Sequence, residues 1–251
     1  MCSSDLTAGA KLVAVEGADG KLEPAALRRA MQGAGNVHRV QPAAVSISQT
    51  TECGTLYRPA ELAALCDFAH THDLLVHLDG ARLANALVSL DCSLAATTWQ
   101  AGVDVASLGF TKNGALCAEL VVVFEARRFP QLAFKRKRAG HLLSKSWFVA
   151  AQVLALLEDD RWLHQARHAN AMASRLASGL LARGRELVWP TQANEVFVRL
   201  RAAERQQLRD AGHVFYDWPS GDDIARLVCS LRTSPDEVDT FLASVDRVHS
   251  A

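Results

Sequence analysis

The feature that most constrains the fold of this chain is an alternation of apolar strands and helices between about residues 20 and 125. Strands are predicted at four apolar runs, 43–48, 74–78, 103–108 and 120–124. The last two runs are apolar enough to be covered on both faces, as parallel strands are. Pro24 and Pro59 each open a helix, with Leu27 and Met31 facing inward in the first. This order predicts a three-layer α/β domain with a mostly parallel sheet.

The predicted secondary structure changes twice in the second half of the chain. From Gly140 to about Arg183 the period is helical, with one apolar stripe from Leu142 to Leu157 and another beginning at Trp162. Shorter elements follow: strands at 196–200, 213–216 and 225–231, and helices at 204–210 and from Pro235, with Ser234 and Glu237 forming a capping box. We therefore expect a large domain at 7–155, lacking its N-terminal part, and a helical connector with a small C-terminal α/β domain at 156–251.

Composition and charge exclude several classes of partner. The 27 basic and 27 acidic residues cancel, so nothing predicts binding to nucleic acid or acidic membranes. No apolar run is long enough to span a bilayer, and no signal peptide is visible at the start. The six cysteines form no C-x-x-C pair, which is typical of a reducing compartment, so a cytoplasmic location is expected. His164 and His168 lack the glutamate of an H-E-x-x-H site, and no metal is expected.

A carboxylate and an arginine follow the second predicted strand, in the run His77-Leu78-Asp79-Gly80-Ala81-Arg82. Open α/β sheets bind ligands at the carboxyl ends of their strands, where a buried acid needs a cation or a strong donor. A pyridinium nitrogen would be such a partner for Asp79. In the alternative interpretation, Asp79 caps the next helix and Arg82 belongs to a structural ion pair.

A lysine follows the third predicted strand, in the run Ser107-Leu108-Gly109-Phe110-Thr111-Lys112-Asn113-Gly114. A lysine pressed against the sheet edge has its charged form disfavoured, which frees the amine for Schiff-base chemistry. The alternative is a surface lysine in a turn. Because successive strands end near Asp79 and Lys112, the two groups are expected to converge on one edge, where a small ring gripped at both ends would act as an electron sink.

From Lys11 to Ala251 the chain resembles the low-specificity L-threonine aldolases, in the β-eliminating lyase family of pyridoxal-phosphate enzymes. Five segments carry the resemblance: His77–Ala86, Thr111–Ala115, Arg138–Lys145, Asn194–Phe197 and Arg226–Ser230. The first two are specific in combination and order, and the others support them. The resemblance implies the fold of aspartate aminotransferase, that is fold type I of these enzymes, with pyridoxal 5'-phosphate as cofactor.

The resemblance also implies a role for each matching residue. Lys112 would hold the cofactor covalently, and Asp79 would keep its pyridine nitrogen protonated. Arg82 would lie beside the cofactor's phenolic oxygen and the substrate carboxylate, and Arg226 would grip that carboxylate, as guanidinium groups do well. Thr111 could donate to the cofactor phosphate. For Arg226 and Thr111 the alternatives are a strand-edge arginine and a turn hydroxyl.

Two departures from the family pattern concern the base and the start of the chain. Some branches have a histidine near the position of Glu52, which is therefore a candidate for the base that deprotonates the substrate hydroxyl. The family also has a phosphate-binding Gly/Ser/Thr loop and a ring-stacking histidine ahead of the position of Lys11. Neither fits in Met1–Ala10, so we expect the natural chain to begin further upstream.

The function that the resemblance implies is cleavage of L-threonine, L-allo-threonine or related β-hydroxy-α-amino acids to glycine and an aldehyde. The alternatives are another reaction on the same fold, β-elimination or transamination, and a fragment without catalytic activity. Because the family works as dimers of dimers, a homo-oligomer, a dimer or a tetramer, is expected.

Overall fold

The first domain is built on a four-stranded sheet in the order β1-β2-β3-β4. A computed structural model of the chain describes residues 9–218 and 223–249, so most of the segment Met1–Ala10 considered above lies outside the described residues. The strands are β1 (Ala44–Ser48), β2 (Leu75–Gly80), β3 (Val105–Gly109) and β4 (Glu119–Val123). β1, β2 and β3 are parallel. The prediction of an α/β fold with a mostly parallel sheet is confirmed.

β4 departs from the prediction, because it runs antiparallel to β3, with Val105 opposite Val123 and Gly109 opposite Glu119. The connection between the two strands, 110–118, contains only a short turn at Thr111–Asn113 and no crossover helix. A parallel return needs a crossover of a dozen or more residues, whereas an antiparallel return does not. The expectation that this strand is covered on both faces was also wrong, since Val121 is 65% exposed.

The two faces of this sheet differ in burial. Val76 and Leu78 of β2 point into a core built with the helices α1 (Pro24–Ala30), α2 (Pro59–His70) and α3 (Leu83–Leu90). As predicted, Leu27 is buried in this core and Met31 packs against it. The apolar stripe of α2 is buried along its length: Leu62, Leu65, Phe68 and Ala69. His77 and Asp79 alternate with the core residues of β2 and lie on the other face, where they are only half-buried.

Three helices follow β4, namely α4 (Leu132–Arg138), α5 (Trp147–Leu157) and α6 (Arg161–Ala182). Of these, α6 lies in the predicted connector, whereas α4 and most of α5 precede residue 156, where that connector was expected to begin. The apolar run from Leu142 does not form one helical stripe, because residues 141–146 are not helical and the chain turns at Lys145, with a φ of 57°, just before α5 begins at Trp147. Leu142 and Leu143 are therefore exposed ahead of that helix, while Val153 and Leu156 are buried. No helix within residues 9–218 and 223–249 combines the length and apolarity that crossing a membrane requires.

The second core is built on an antiparallel sheet in the order β5-β7-β6, comprising β5 (Glu195–Arg199), β6 (Tyr216–Asp217) and β7 (Ile224–Val228). The helices α7 (Ala202–Asp210) and α8 (Pro235–His249) complete this part. α6 contributes to both cores, since Trp162 packs in the first and Leu180 in the second. The domain boundary at residue 155 stays a prediction.

The N-terminus of α8 has the predicted capping box. The Glu237 amide donates to Ser234 Oγ at 3.1 Å, and the Ser234 amide donates to Glu237 Oε2 at 2.7 Å. These two bonds satisfy amide groups that the first turn of a helix otherwise leaves without partners.

Replacing the cap tests this local structure. Ser234→Ala is expected to lower the free energy of unfolding by about 1 kcal/mol, because it removes the acceptor for the Glu237 amide. The measurement is urea unfolding followed by circular dichroism. Ser174→Ala, at an exposed position inside α6, is the matched control and should not destabilise the protein. Equal losses in both variants would contradict the capping role.

Candidate active site

The turns that follow β2 and β3 abut at the carboxyl edge of the sheet, and two glycines permit it. A Cβ on Gly109 would lie 2.7 Å from Cα and 2.8 Å from the carbonyl oxygen of Ala81. A Cβ on Gly80 would lie 2.6 Å from the carbonyl oxygen of Ser107. Both contacts are with backbone atoms, which cannot move aside as a flexible side chain can. The turn that contains Ala81 and the turn that contains Lys112 are therefore neighbours only because side chains are absent here.

Asp79 presents a carboxylate at this edge. Its Oδ1 accepts a hydrogen bond of 3.0 Å from the Ala81 amide, and Oδ2 has no hydrogen-bond partner within residues 9–218 and 223–249. The helix α3 begins at Leu83 with Arg82 as its N-cap residue, so the alternative interpretation of Asp79 as a helix cap is wrong. One carboxylate oxygen thus accepts a hydrogen bond within the turn, and the other remains available to a donor.

His77 lies on the same face as Asp79 and connects three strands. Its Nδ1 is 2.9 Å from Ser46 Oγ on β1, and its Nε2 is 3.0 Å from Ser107 Oγ on β3. Burial lowers the pKa of His77, although the charge of Asp79 acts in the opposite direction. A neutral imidazole, with one donor and one acceptor, suits two hydroxyl partners. Sequence reasoning assigned His77 no role, although its position two residues before Asp79 on a strand places both side chains on one face.

Lys112 is held in place by its neighbours rather than by its own contacts. It occupies the turn Thr111–Asn113 directly after β3. On one side, buried Phe110 packs against Trp162 with ring centroids 5.8 Å apart, and on the other, Asn113 donates to the Trp162 carbonyl oxygen at 2.6 Å. Lys112 itself is exposed. The expected burial of this lysine against the sheet edge was therefore wrong, and its amine is open to solvent.

The hydroxyl of Thr111 closes the same turn. It accepts a hydrogen bond from the Ala118 amide at 3.3 Å, and it lies 3.4 Å from the Ala118 carbonyl oxygen. This is the turn role considered as the alternative for Thr111. A bond from Thr111 to a cofactor phosphate stays a prediction.

Two arginines from different parts of the chain meet at one buried carboxylate, that of Glu195. Arg226 of β7 donates to Glu195 Oε1 through Nε at 3.0 Å and also through Nη2. Nη2 of Arg82 lies 3.4 Å from the same oxygen. Burying a carboxylate is costly unless cations and donors surround it, and here two guanidinium groups do so. The sequence-predicted pair Arg82 and Arg226 is thus brought together by a residue to which sequence reasoning gave no role.

Arg82 interacts electrostatically both with the Glu195–Arg226 pair and with Asp79 at the sheet edge. Burial lowers the pKa of Arg82, Arg226 lowers it further, and the carboxylates of Glu195, Glu52 and Asp79 oppose both effects. The Nε atom of Arg82 is buried and has no hydrogen-bond partner in the described part of the chain. Arg82 therefore lies within electrostatic range of the three acidic residues and keeps one unused donor.

Glu52 is exposed on the loop 49–57, which follows β1 and packs against the second sheet. Thr50 Oγ1 donates to Glu195 Oε2 at 3.3 Å, and the Leu56 amide donates to Gln192 Oε1 at 2.8 Å. Burial raises the pKa of the neighbouring Cys53 thiol to about 11, so this thiol is protonated and unreactive near neutral pH. Glu52 thus lies within electrostatic range of Arg82, while its role as a base stays a prediction.

These residues fit a cofactor with a cationic ring nitrogen and acidic oxygens. Asp79 has an uncommitted carboxylate oxygen, Lys112 an open amine, and Arg82 a buried donor without a partner. Such an arrangement at the carboxyl edge of a mostly parallel sheet is typical of the pyridoxal-phosphate enzymes of fold type I. Among the residues that the structure describes, no group of three or more histidine, cysteine or acidic side chains is placed to hold a metal ion.

Comparison with known proteins supports the same class. Residues 3–203 match the model of the β-eliminating lyase family. The chain is 38% identical over 245 residues to the low specificity L-threonine aldolase of Pseudomonas sp. (strain NCIMB 10558), covering 97% of this chain and 70% of that protein. The threonine aldolase of Leishmania major superposes with a TM-score of 0.89 at 31% identity, over 97% of this chain and 72% of that one.

A more distant likeness shows the fold alone. An aspartate aminotransferase variant from Thermus thermophilus superposes with a TM-score of 0.67 at 18% identity, over 90% of this chain and 60% of that chain. The protein is a pyridoxal-phosphate-dependent enzyme of fold type I. It belongs to the β-eliminating lyase family, and the resemblance inferred from its motifs is confirmed.

The close approach of the two turns can be tested at Gly109. Gly109→Ala is expected to lower the free energy of unfolding by about 1–3 kcal/mol, because the added methyl group meets the backbone of Ala81. The measurement is urea unfolding of the variant beside the parent protein. Adding Ala81→Gly should not restore stability, since the clash is with backbone atoms rather than with the Ala81 methyl group. Parent-like stability of Gly109→Ala would contradict the contact.

Proposed function

We propose that this protein is an aldehyde-lyase that cleaves L-threonine, L-allo-threonine and related β-hydroxy-α-amino acids to glycine and an aldehyde. The observation that carries the proposal is the meeting of three groups at one sheet edge: the turn of Lys112, the carboxylate of Asp79 and the arginine pair Arg82 and Arg226. Relatives that bear the name L-threonine aldolase, similar over nearly the whole chain, support the choice among reactions on this fold.

Lys112 and Asp79 are the residues that would hold the cofactor. The exposed amine of Lys112 is free to bond to its aldehyde carbon, and Thr111 is a candidate donor to its phosphate. The bound cofactor supplies an electron sink for the pair of electrons that a breaking bond at the substrate Cα leaves behind. Asp79 would keep a proton at the ring nitrogen, and the hydrogen bond from the Ala81 amide to Oδ1 restricts the orientation of its carboxylate.

Arg226 and Arg82 would bind and orient the substrate carboxylate. A guanidinium group pairs with a carboxylate through two parallel hydrogen bonds, which fixes direction as well as position. Holding the carboxylate in this way sets which bond at Cα is broken. The contribution is therefore mainly one of orientation.

Glu52 is the candidate that takes the proton from the substrate β-hydroxyl. Its carboxylate lies within electrostatic range of Arg82, on the side of the site formed by the loop 49–57. Transfer of that proton allows the hydroxyl carbon to become the aldehyde carbon as the Cα–Cβ bond breaks. The same carboxylate, once protonated, can return a proton when the product leaves.

β-Elimination is a second candidate reaction, because the chain belongs to the β-eliminating lyase family. β-Elimination breaks a bond from Cβ to its substituent and yields ammonia and a keto acid, whereas aldol cleavage yields glycine and an aldehyde. The product measured from L-threonine separates the two. A protein that shows no spectral change on titration with pyridoxal phosphate would instead be a fragment without catalytic activity.

The oligomeric state and the cellular location of the protein belong to the same proposal. We infer a homo-oligomer, a dimer or a tetramer, and support for it comes from apolar side chains exposed between residues 116 and 154: Leu116, Phe134, Leu142, Leu143, Trp147, Phe148 and Leu154. Large exposed apolar patches commonly mark protein interfaces. A cytoplasmic location is supported by the cysteines of the described residues, which are all free: Cys53, Cys66, Cys92, Cys117 and Cys229.

The proposed function is tested by substitution of the anchoring lysine. Full-length protein with pyridoxal phosphate is expected to show the visible absorption of a lysine-bound cofactor and to release glycine and acetaldehyde from L-threonine. Lys112→Ala should lose that absorption and reduce kcat by about a thousandfold or more, because it removes the group that forms the covalent link. Lys135→Ala, an exposed lysine on α4, is the control and should leave both unchanged. Retention of a reducible lysine link in Lys112→Ala would reject the assignment.

A further inference from the structure

Glu195 is the most deeply buried charged group at the meeting point of the two sheets. It is 2% exposed, opens β5 and lies on the face of that sheet that also presents Phe197 and Arg226. The loop 49–57 closes over it, since a Cβ on Gly54 would lie 3.3 Å from the Glu195 Cβ. A carboxylate buried to this degree is costly unless each oxygen is satisfied, so its partners define what it does.

Those partners hold the carboxylate from three directions. Oε2 accepts from the hydroxyl of Thr50 at 3.3 Å. Oε1 accepts from Nε of Arg226 at 3.0 Å and from Nη2 of the same residue, and Nη2 of Arg82 lies 3.4 Å away. The loop after β1, the N-cap of α3 and β7 are thereby connected through one side chain.

The bonds to Arg226 use one particular edge of its guanidinium group. Glu195 accepts hydrogen bonds from Nε and Nη2, which form the side edge of the group. Nη1 has no hydrogen-bond partner within residues 9–218 and 223–249. A guanidinium has five N–H donors in a fixed plane, so the end formed by Nη1 and Nη2 remains able to bind a second carboxylate. The Trp218 ring, centred 5.8 Å from the Arg226 Cζ, limits the same group on one face.

We propose that Glu195 is the positioning residue of the substrate-carboxylate site. It holds the side edge of Arg226, so that the free end of the guanidinium faces the α-carboxylate of the amino acid, and it draws Arg82 to the same point. This inference rests on the proposed function, because it requires an amino-acid substrate whose carboxylate Arg226 binds. Glu195 touches neither cofactor nor substrate in this role and acts through Arg226.

The test compares Glu195→Gln with the parent protein, both as full-length protein loaded with pyridoxal phosphate. Glutamine keeps the size of the side chain and removes its charge. The KM for L-threonine and the Kd for glycine are expected to rise about tenfold or more, the scale of one hydrogen bond to a charged group, while kcat changes less than about threefold. The Kd for 2-aminoethanol, an amine without a carboxylate, should stay within about twofold. Unchanged or tighter glycine binding would overturn the proposal, since Glu195 would then only compete with the carboxylate of glycine for Arg226.

A double-mutant cycle shows whether Glu195 acts through Arg226. Arg226→Gln alone should raise KM at least as much as Glu195→Gln does, and the combined variant should match Arg226→Gln within about twofold. Multiplied effects on KM in the combined variant would mean that Glu195 acts by another route, and would overturn the proposal.

Glu204→Gln is the matched control for loss of a buried carboxylate. Glu204 is 3% exposed, lies in the same part of the chain, and is paired with Arg185 and Arg201. Its substitution should lower Tm and leave KM within about twofold, whereas equal KM effects in both variants would reduce Glu195 to a structural role.

The outcomes also separate this inference from the proposed function. A parent protein that neither binds glycine nor cleaves threonine rejects the function and the inference together. A parent that is active but whose KM is insensitive to Arg226→Gln rejects Arg226 as the carboxylate site, and Glu195 with it. A KM that rises in Arg226→Gln but not in Glu195→Gln rejects the inference alone.

Discussion

The parallel pairing of β2 with β3 is the constraint on which the rest of the site depends. Asp79 lies opposite Ser107 and Gly80 opposite Leu108, so the turns that follow both strands begin at the same level of the sheet. Gly80 and Gly109 then allow these turns to touch through backbone atoms. Side chains at these two positions would force the turns apart and move the Asp79 carboxylate away from the Lys112 turn.

A second constraint is the buried carboxylate that connects the sheets. Breaking a buried ion pair by removing one partner typically costs about 3–5 kcal/mol, because the remaining charge is left unpaired. Arg82, Arg226 and Glu195 are therefore interdependent: the two arginines need the carboxylate for burial, and the carboxylate needs them. Since Arg82 directly precedes α3 and Arg226 belongs to β7, this one cluster sets how the second sheet lies against the edge where Asp79 and Lys112 meet.

Local patterns in the sequence predicted much of the fold but less of the site. Most strand and helix positions followed from apolar periodicity, although the helical stripe expected from Leu142 did not form, and the capping box of Ser234 and Glu237 was predicted directly from residue types. The antiparallel direction of β4 was not predicted, because it depends on the length of the connection from β3 rather than on the apolar pattern of the strand. The roles of His77 and Glu195 were missed for a related reason, since each depends on partners that are distant in sequence, such as Ser46, Ser107 and Arg226. The exposure of Lys112 on the turn after β3 was not predicted either.

The central claim is that Lys112 is the residue that binds the cofactor, and chemical trapping tests it most directly. Full-length protein loaded with pyridoxal phosphate would be treated with borohydride, which converts a lysine–cofactor link into a stable amine, and then digested and mapped by mass spectrometry. The account predicts that the cofactor's mass is found on the peptide containing Thr111, Lys112 and Asn113. Its attachment instead to any of the other lysines, which are Lys11, Lys21, Lys135, Lys137 and Lys145, would contradict the account, as would the absence of any adduct.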